Sequence, residues 1–198
     1  QHRLIMAIPL NRASTMPVPG VILAPDSLVT RPTLDYEDGG VAVQDTSEGL
    51  SGYSWTCTVR GLDIVLQRVG QPEVILFQTS GVEEVSLAFD QNMRPAVAAK
   101  KSDGTLLLRW YDSQVQQYVQ TQFGSGRCPR LCLDDKRLEL AIVSDIIFAY
   151  IREDGALCYR QQRDRFNTER VLSAGVPDVI RLKNIGMGAN WRIQFELG

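Results

Sequence analysis

Val85-Ser-Leu-Ala-Phe-Asp90 is followed by Pro95-Ala-Val-Ala-Ala-Lys100, then by a Ser102-Asp103-Gly104 turn into Thr105-Leu-Leu-Leu-Arg-Trp-Tyr-Asp112 and by Gln117-Tyr-Val-Gln-Thr-Gln-Phe123. Further along, Pro129-Arg-Leu-Cys-Leu-Asp134 answers the first of these runs, with Asp134 standing where Asp90 stood. Leu138-Glu-Leu-Ala-Ile-Val143 and Ile146-Ile-Phe-Ala-Tyr-Ile151 follow as aliphatic strands. A Glu153-Asp154-Gly155 turn then leads into Ala156-Leu-Cys-Tyr-Arg-Gln-Gln-Arg-Asp164. The common skeleton is an apolar strand ending in Asp, an aliphatic strand, an Asp-Gly turn and a strand bearing aromatic and arginine residues. Such self-similarity is the mark of a repeated supersecondary unit. Asp-Gly between two β-rich runs predicts a hairpin, with a type I′ turn as the expected form. Pro32-Thr-Leu-Asp35 reads as a faded further copy of the first strand.

Outward from this centre the pattern persists. Tyr53-Ser-Trp-Thr-Cys-Thr-Val59 is a β-rich run, turned by Arg60-Gly61-Leu62-Asp63 into Ile64-Val-Leu-Gln-Arg68 and by Gly70-Gln-Pro72 into Val74-Ile-Leu-Phe77. Turns every eight to twelve residues indicate an all-β chain. The closing Trp191-Arg-Ile-Gln-Phe-Glu-Leu197 alternates strictly and predicts a half-buried strand. Residues 162–172 are charged enough for a short helical turn, although the repeat favours a strand pair there. The expected fold is therefore an antiparallel meander of short strands with two or more degenerate, four-stranded, propeller-blade-like repeats, arranged as an open propeller or a sandwich. The repeat units fall near residues 85–123 and 129–172, within a β domain of residues 33–198. Two units and a partial third are too few to close a ring of blades, which points to an oligomer.

Residues 1–32 differ in character. Pro9, Pro17, Pro19, Pro25 and Pro32 exclude a regular helix, while Val18, Val21, Ile22, Leu23, Leu28 and Val29 make the stretch too apolar for a free linker. An extended arm lying on another surface satisfies both observations; a loop packed on its own domain is the simpler alternative. Gln1 in place of a methionine points to a lost initiator. Leu4-Ile-Met-Ala-Ile8 is cut by Pro9 and is too short for a signal peptide, and no apolar run is long enough for a membrane-spanning helix.

Composition narrows the function classes. With 21 Lys+Arg against 23 Asp+Glu, the net charge is -2, and the chain lacks the basic footprint of a nucleic-acid binder. Lysine occurs only at Lys100, Lys101, Lys136 and Lys183, so arginine dominates; its planar fork suits contact surfaces, and a compositional bias explains the skew equally well. Cys57, Cys128, Cys132 and Cys158 form no paired metal-ligand spacing, and an i,i+4 pair on one strand lies roughly 13 Å apart, too far for a disulfide. They are expected to be free, mostly buried thiols.

Catalysis finds little support. The one histidine, His2, leaves serine and cysteine nucleophiles without a base, and Gly186-Met-Gly188 precedes a strand rather than a helix, so no phosphate loop is present. The carboxylates Asp90, Asp134, Asp135 and Asp154 sit at strand ends, where a glycosidase pair would sit. Their recurrence at equivalent repeat positions favours side-chain bonds that stabilise turns, and the same reading covers Asp103, Gly104 and Gly155. Oxygen ligands for calcium are present at Asp134-Asp135 and Glu153-Asp154 without the alternating pattern of a dedicated loop. No catalytic residue, metal or cofactor is assigned. Trp110, Tyr111, Tyr159, Arg109 and Arg160 are the candidate binding face, with the sheet core as the competing role.

Four stretches, Val85–Pro95, Leu107–Asp112, Tyr159–Phe166 and Trp191–Glu196, resemble virion structural proteins of tailed bacteriophages of the tail, collar or fibre-attachment type. The resemblance spans the C-terminal half to two-thirds of the chain. It implies a non-enzymatic, multi-copy subunit that is assembled in the host cytoplasm into the virion. There it docks on the tail, collar or baseplate region through other copies of itself and other virion proteins, and connects fibres, with no nucleic acid bound and no membrane inserted. The alternative is a receptor- or glycan-binding module of a tail fibre, with a host surface glycan as ligand; a glycan-cleaving enzyme ranks third.

Overall fold

The computed structural model describes residues 36–46, 49–135, 143–187 and 192–198. The proline-rich arm, Pro32–Asp35 and Trp191 lie outside the described residues. The fold is all-β, and every strand pairing among the described residues is antiparallel. One sheet holds β1 (Glu37–Thr46), β2 (Gly49–Arg60), β3 (Asp63–Gln67) and β4 (Val74–Gln78) in sequence order. A second runs from β5 (Val82–Phe89) through β6 (Pro95–Lys101), β7 (Thr105–Asp112), β8 (Gln117–Leu133), β9 (Ile146–Arg152) and β10 (Leu157–Gln161) to β11 (Arg170–Ser173), each strand beside its neighbour in sequence. β12 (Leu182–Met187) and β13 (Ile193–Leu197) pair by themselves.

β8 belongs to two units at once. Its first half, from Gln117 to Ser125, pairs with β7, and its second half, from Gly126 to Leu133, pairs with β9. The register breaks between Arg127 and Arg130, where Cys128 takes a positive φ of 54° and Pro129 withholds a donor. The array thus resolves into a first unit (β1–β4), a second (β5–β7 with the first half of β8), a third (the second half of β8 with β9–β11) and a two-stranded fourth (β12–β13).

Period-2 alternation explains how the units stack. On β6, Val97 and Ala99 join Ala42, Cys57, Ile64, Leu66 and Leu87 in a core between the first and second units. Ala96 and Ala98, pointing the other way, join Leu108, Trp110, Leu131 and Phe148 in a core between the second and third. β9 repeats the arrangement: Ile146, Phe148 and Tyr150 face the second core, while Ile147, Ala149 and Ile151 face a third, with Leu182, Ile185, Phe195 and Leu197 of the fourth unit. A strand buried on both faces needs a continuous apolar run, and Ile146–Ile151 supplies one.

The turns hold one correction. Gly104 N–H bonds Lys101 O at 2.9 Å and Gly155 N–H bonds Arg152 O at 2.9 Å, with φ of 83° and 82° at the two glycines. Asp103 and Asp154 are not among the positive-φ residues, so these are not type I′ turns. Each is a type I turn closed by a left-handed glycine, the three-residue hairpin form. At Gly155 a side chain would also collide with Val176 O, 2.9 Å from the position of a Cβ.

The aliphatic run Leu138–Val143, read above as a strand, is described only at its last residue. Residues 138–142 lie outside the described residues, and Val143 is an exposed loop residue. The strand answering β6 is β9, beginning at Ile146. In residues 162–172 the structure has a 3-10 turn (Gln162–Asp164) followed by the single strand β11, rather than a strand pair. The closing strand β13 buries Phe195 and Leu197 and exposes Glu196, as the alternation predicts.

Candidate functional site

The first strands of successive units lie side by side and form no paired ladder among the described residues, so their facing edges depend on side chains. Asp38 on β1, 3 % exposed, accepts from Ser86 Oγ at 2.9 Å and from Leu87 N at 2.8 Å on β5. Ser86 Oγ, fully buried, in turn accepts from Leu131 N at 3.0 Å on β8. Arg130 Nε continues the series by donating to Lys183 O at 2.8 Å on β12. Glu84 reinforces it, with Arg181 Nη2 at 2.9 Å and Lys100 Nζ at 3.9 Å. Buried donors left without acceptors cost about 1–3 kcal/mol each, so a relay of this kind fixes the lateral order of the units. The strands approach closely: a Cβ on Gly40 of β1 would fall 2.9 Å from Leu87 Cγ.

The strand-end aspartates are engaged in turns. Asp90 Oδ1 accepts from Asn92 N at 2.8 Å and Arg94 N at 2.9 Å; Asp103 Oδ1 accepts from Thr105 N at 2.9 Å; Asp154 Oδ1 accepts from Ala156 N at 3.1 Å. Asp134 Oδ1 takes the Asp145 N–H, and Arg163 meets both carboxylates, with Nη2 3.5 Å from Asp134 Oδ2 and Nε on Asp145 Oδ2. Asp112, which the repeat did not single out, accepts from Gln114 N at 2.9 Å and pairs with Arg165 at 2.6 Å. Bonds from Arg152 and Ala156 N hold the Asp154 carboxyl down to about 2, and the backbone N–H of Thr105 lowers that of Asp103. No cluster of three or more His, Cys, Asp or Glu suited to a metal occurs among the described residues.

All four cysteines are free thiols, buried except for half-buried Cys132. Burial, then the charge of Asp38, pushes the Cys57 thiol far above its ordinary range; burial and Glu84 raise Cys128; burial first and Glu169 second push Cys158 up to about 11. These thiols stay protonated and are poor nucleophiles near neutrality.

Beside the second core lies a polar network on β9, β10 and the segment before β11. Tyr150 Oη donates to Glu169 and accepts from Arg160 Nε at 2.9 Å; Arg152 reaches the other Glu169 oxygen at 2.8 Å. Arg160 also donates to the carbonyls of Phe166 and Asn167, each at 2.9 Å. Burial opposes ionisation of Glu169, but the bonds from Tyr150 and Arg160 outweigh it and hold its carboxyl below the ordinary glutamate range. A carboxylate with a depressed folded-state pKa contributes stability that is present above its unfolded value and lost as pH falls through the folded one. Glu169→Gln is therefore expected to cost about 1 kcal/mol at pH 7, the low end for a half-exposed network. In urea titrations the gap from wild type should narrow steadily from pH 5 to pH 3; a constant gap would contradict the assignment.

The five residues of the candidate binding face do not come together. Trp110 is buried in the second core, its Nε1 donating to Thr121 Oγ1 at 3.1 Å and its ring edge-on to Phe166 at 5.1 Å. Tyr159 borders the third core, 6.2 Å from Phe195, and Arg160 serves the network just described. Arg109 and Tyr111 lie two apart on β7 and share the face of Leu107, toward the first unit. There the structure adds two residues that sequence reading missed. Tyr118 pairs with Tyr111 across the β7–β8 hairpin, rings edge-on at 5.4 Å, and Arg94 stacks on Tyr111 at 3.8 Å. Arg109 sits 5.7 Å from the Tyr118 ring, and on the first unit Arg68 stacks on Tyr53 at 4.1 Å. Cation–π contacts at half-exposed sites are worth about 0.5–1 kcal/mol and leave the guanidinium N–H groups free to bond elsewhere. The chain matches no protein-family model, and no curated protein matches it.

Proposed function

We propose that this chain is a non-enzymatic structural subunit of a tailed-phage virion, its four-stranded units acting as blades of an open propeller-like array. The observation that carries the reading is the engagement of the strand-end carboxylates in turns and inter-unit bonds. Asp90, Asp103, Asp112, Asp134 and Asp154 all hold backbone N–H groups, which is how a load-transmitting repeat uses them and not how a hydrolase keeps its acid and base. The resemblance noted in the sequence supplies the virion context, in the tail, collar or baseplate region. The subunit joins other copies of itself or other virion proteins and connects fibres.

Two measurements test this. Light scattering on the full chain is expected to give a discrete oligomer that is lost when residues 1–32 are removed; a monomer in both forms would oppose assembly through the arm. Mass spectrometry of purified particles from a tailed phage encoding the chain is expected to find it in the virion, and its absence from particles despite expression would overturn the assignment. A second reading, a receptor- or glycan-binding module of a tail fibre, is favoured by the arginine–tyrosine pairs of the first two units.

A further inference from the structure

The described arginines meet carboxylates, carbonyls or aromatic rings, Arg130 among them donating to the carbonyls of Lys183 and Pro129. Arg60, Arg127, Arg152, Arg160, Arg163, Arg165 and Arg181 each meet a carboxylate. Arg68, Arg94 and Arg109 meet tyrosine rings instead and form no ion pair with a carboxylate among the described residues. These three belong to the two units flanking the first core, and each is half-buried. Arg170 likewise stacks on Tyr159, at 5.6 Å, in the third unit; Arg94 and Arg109 are set apart by flanking one tyrosine pair, and a guanidinium with no carboxylate partner among the described residues can take an anionic group from outside.

The geometry is tightest on the second unit. Arg94, Tyr111, Tyr118 and Arg109 form one contiguous set, linked by contacts of 3.8, 5.4 and 5.7 Å. The register places Arg109 opposite Gln120 and in line with Val97 and Leu87, so the row passes from apolar core to polar surface without a break. Arg109 Nε is buried with no acceptor among the described residues, and so is Trp55 Nε1 on the facing unit, whose ring lies 6.0 Å from Phe89. Asp90, whose charge reaches Tyr118, already spends Oδ1 on its own turn. Half-exposed tyrosines with stacked guanidiniums present what a charged sugar needs: flat faces for its rings and forked donors for its anionic group.

We propose that the outer part of the seam between the first and second units binds an acidic oligosaccharide, with Arg94 and Arg109 holding its carboxylate or sulfate groups and Tyr111 and Tyr118 stacking on its rings. The proposal deepens the glycan-binding reading by naming the ligand class and the residues. Arg68 and Tyr53 extend the same chemistry across the seam.

Calorimetric titration with three oligosaccharides of equal length tests it: an oligogalacturonate, a heparin-derived sulfated oligomer and a neutral dextran oligomer. At least one acidic oligomer is expected to bind saturably, and the neutral one at least tenfold more weakly. Arg94→Gln and Arg109→Gln should each weaken acidic binding about tenfold, as expected for loss of one charge-assisted bond. Arg60→Gln, whose partner Glu73 lies elsewhere on the first unit, should leave it unchanged. Melting curves matching wild type show that the variants are folded. Tight binding of the neutral oligomer alone would sink the proposal while leaving a glycan-binding module standing; failure of all three would remove both. Acidic binding that survives in the Arg94→Gln, Arg109→Gln double variant would overturn the assigned residues.

Discussion

Truncating Phe148 to alanine is expected to lower the unfolding free energy by about 4 kcal/mol, the middle of the range for buried aromatic-to-alanine changes. Phe148 is fully buried on β9, with Phe123 5.2 Å and Tyr150 4.9 Å away between ring centroids. Its neighbours in the second core come from two units: Ala96, Ala98, Leu106 and Leu108 on one side, Leu131, Ile146 and Cys158 on the other. The small alanines of β6 make room for large residues of β9, so collapse after truncation needs movement of one unit against another. Relaxation is therefore limited, and the cavity term stays large. Against a total of about 5–15 kcal/mol for an ordinary domain, the loss is a substantial fraction. Val171→Ala on the edge strand β11, at a side chain 55 % exposed, should change stability by less than about 0.5 kcal/mol. Urea denaturation of both variants checks the contrast. If Phe148→Ala cost no more than Val171→Ala, the seam between the second and third units would not be a packed core.

What the sequence disclosed and what it hid follow from the range of the interactions. The run Ile146–Ile151 disclosed a strand because burial on both faces demands unbroken apolarity, and Val85–Phe89, interrupted only by Ser86, comes close to it. Gly104 and Gly155 disclosed turns because only glycine takes a φ near 80° cheaply. The turn type was misread because the same dipeptide serves either hairpin form, and the choice depends on whether the aspartate or only the glycine turns left-handed. Trp110 and Arg109 belong to one candidate face in the sequence, yet successive strand residues point to opposite faces; Trp110 enters one core and Arg109 the other seam. Tyr118 was within reach of the same logic: counting back through the hairpin from Asp112 and Gln117 sets it opposite Tyr111. The lateral relay through Asp38 and Ser86 was not legible, since it joins residues 48 positions apart that share no strand pairing and no motif.

That relay yields the second large effect. Asp38→Ala is expected to destabilise the chain by about 3 kcal/mol, because two buried donors, Ser86 Oγ–H and Leu87 N–H, lose their acceptor together. Ser86→Ala removes one of those donors and, with it, the oxygen that accepts from Leu131 N–H, so about 2 kcal/mol is expected from it alone. The two changes share the bond between them, and in the double variant Ser86 no longer needs the carboxylate. The combined loss should therefore fall short of the sum by about 1 kcal/mol, the coupling typical of residues in one hydrogen-bonded network. Denaturant titration of the four species measures this directly. Strict additivity would mean that Asp38 and Ser86 act independently, and the first strands of the first three units would then be ordered by their apolar cores alone. A measured coupling would instead place part of the specificity of stacking in this buried line. The apolar faces alone do not dictate which unit sits beside which: Ala, Val and Leu tolerate a slipped neighbour, whereas a buried carboxylate with two fixed donors does not.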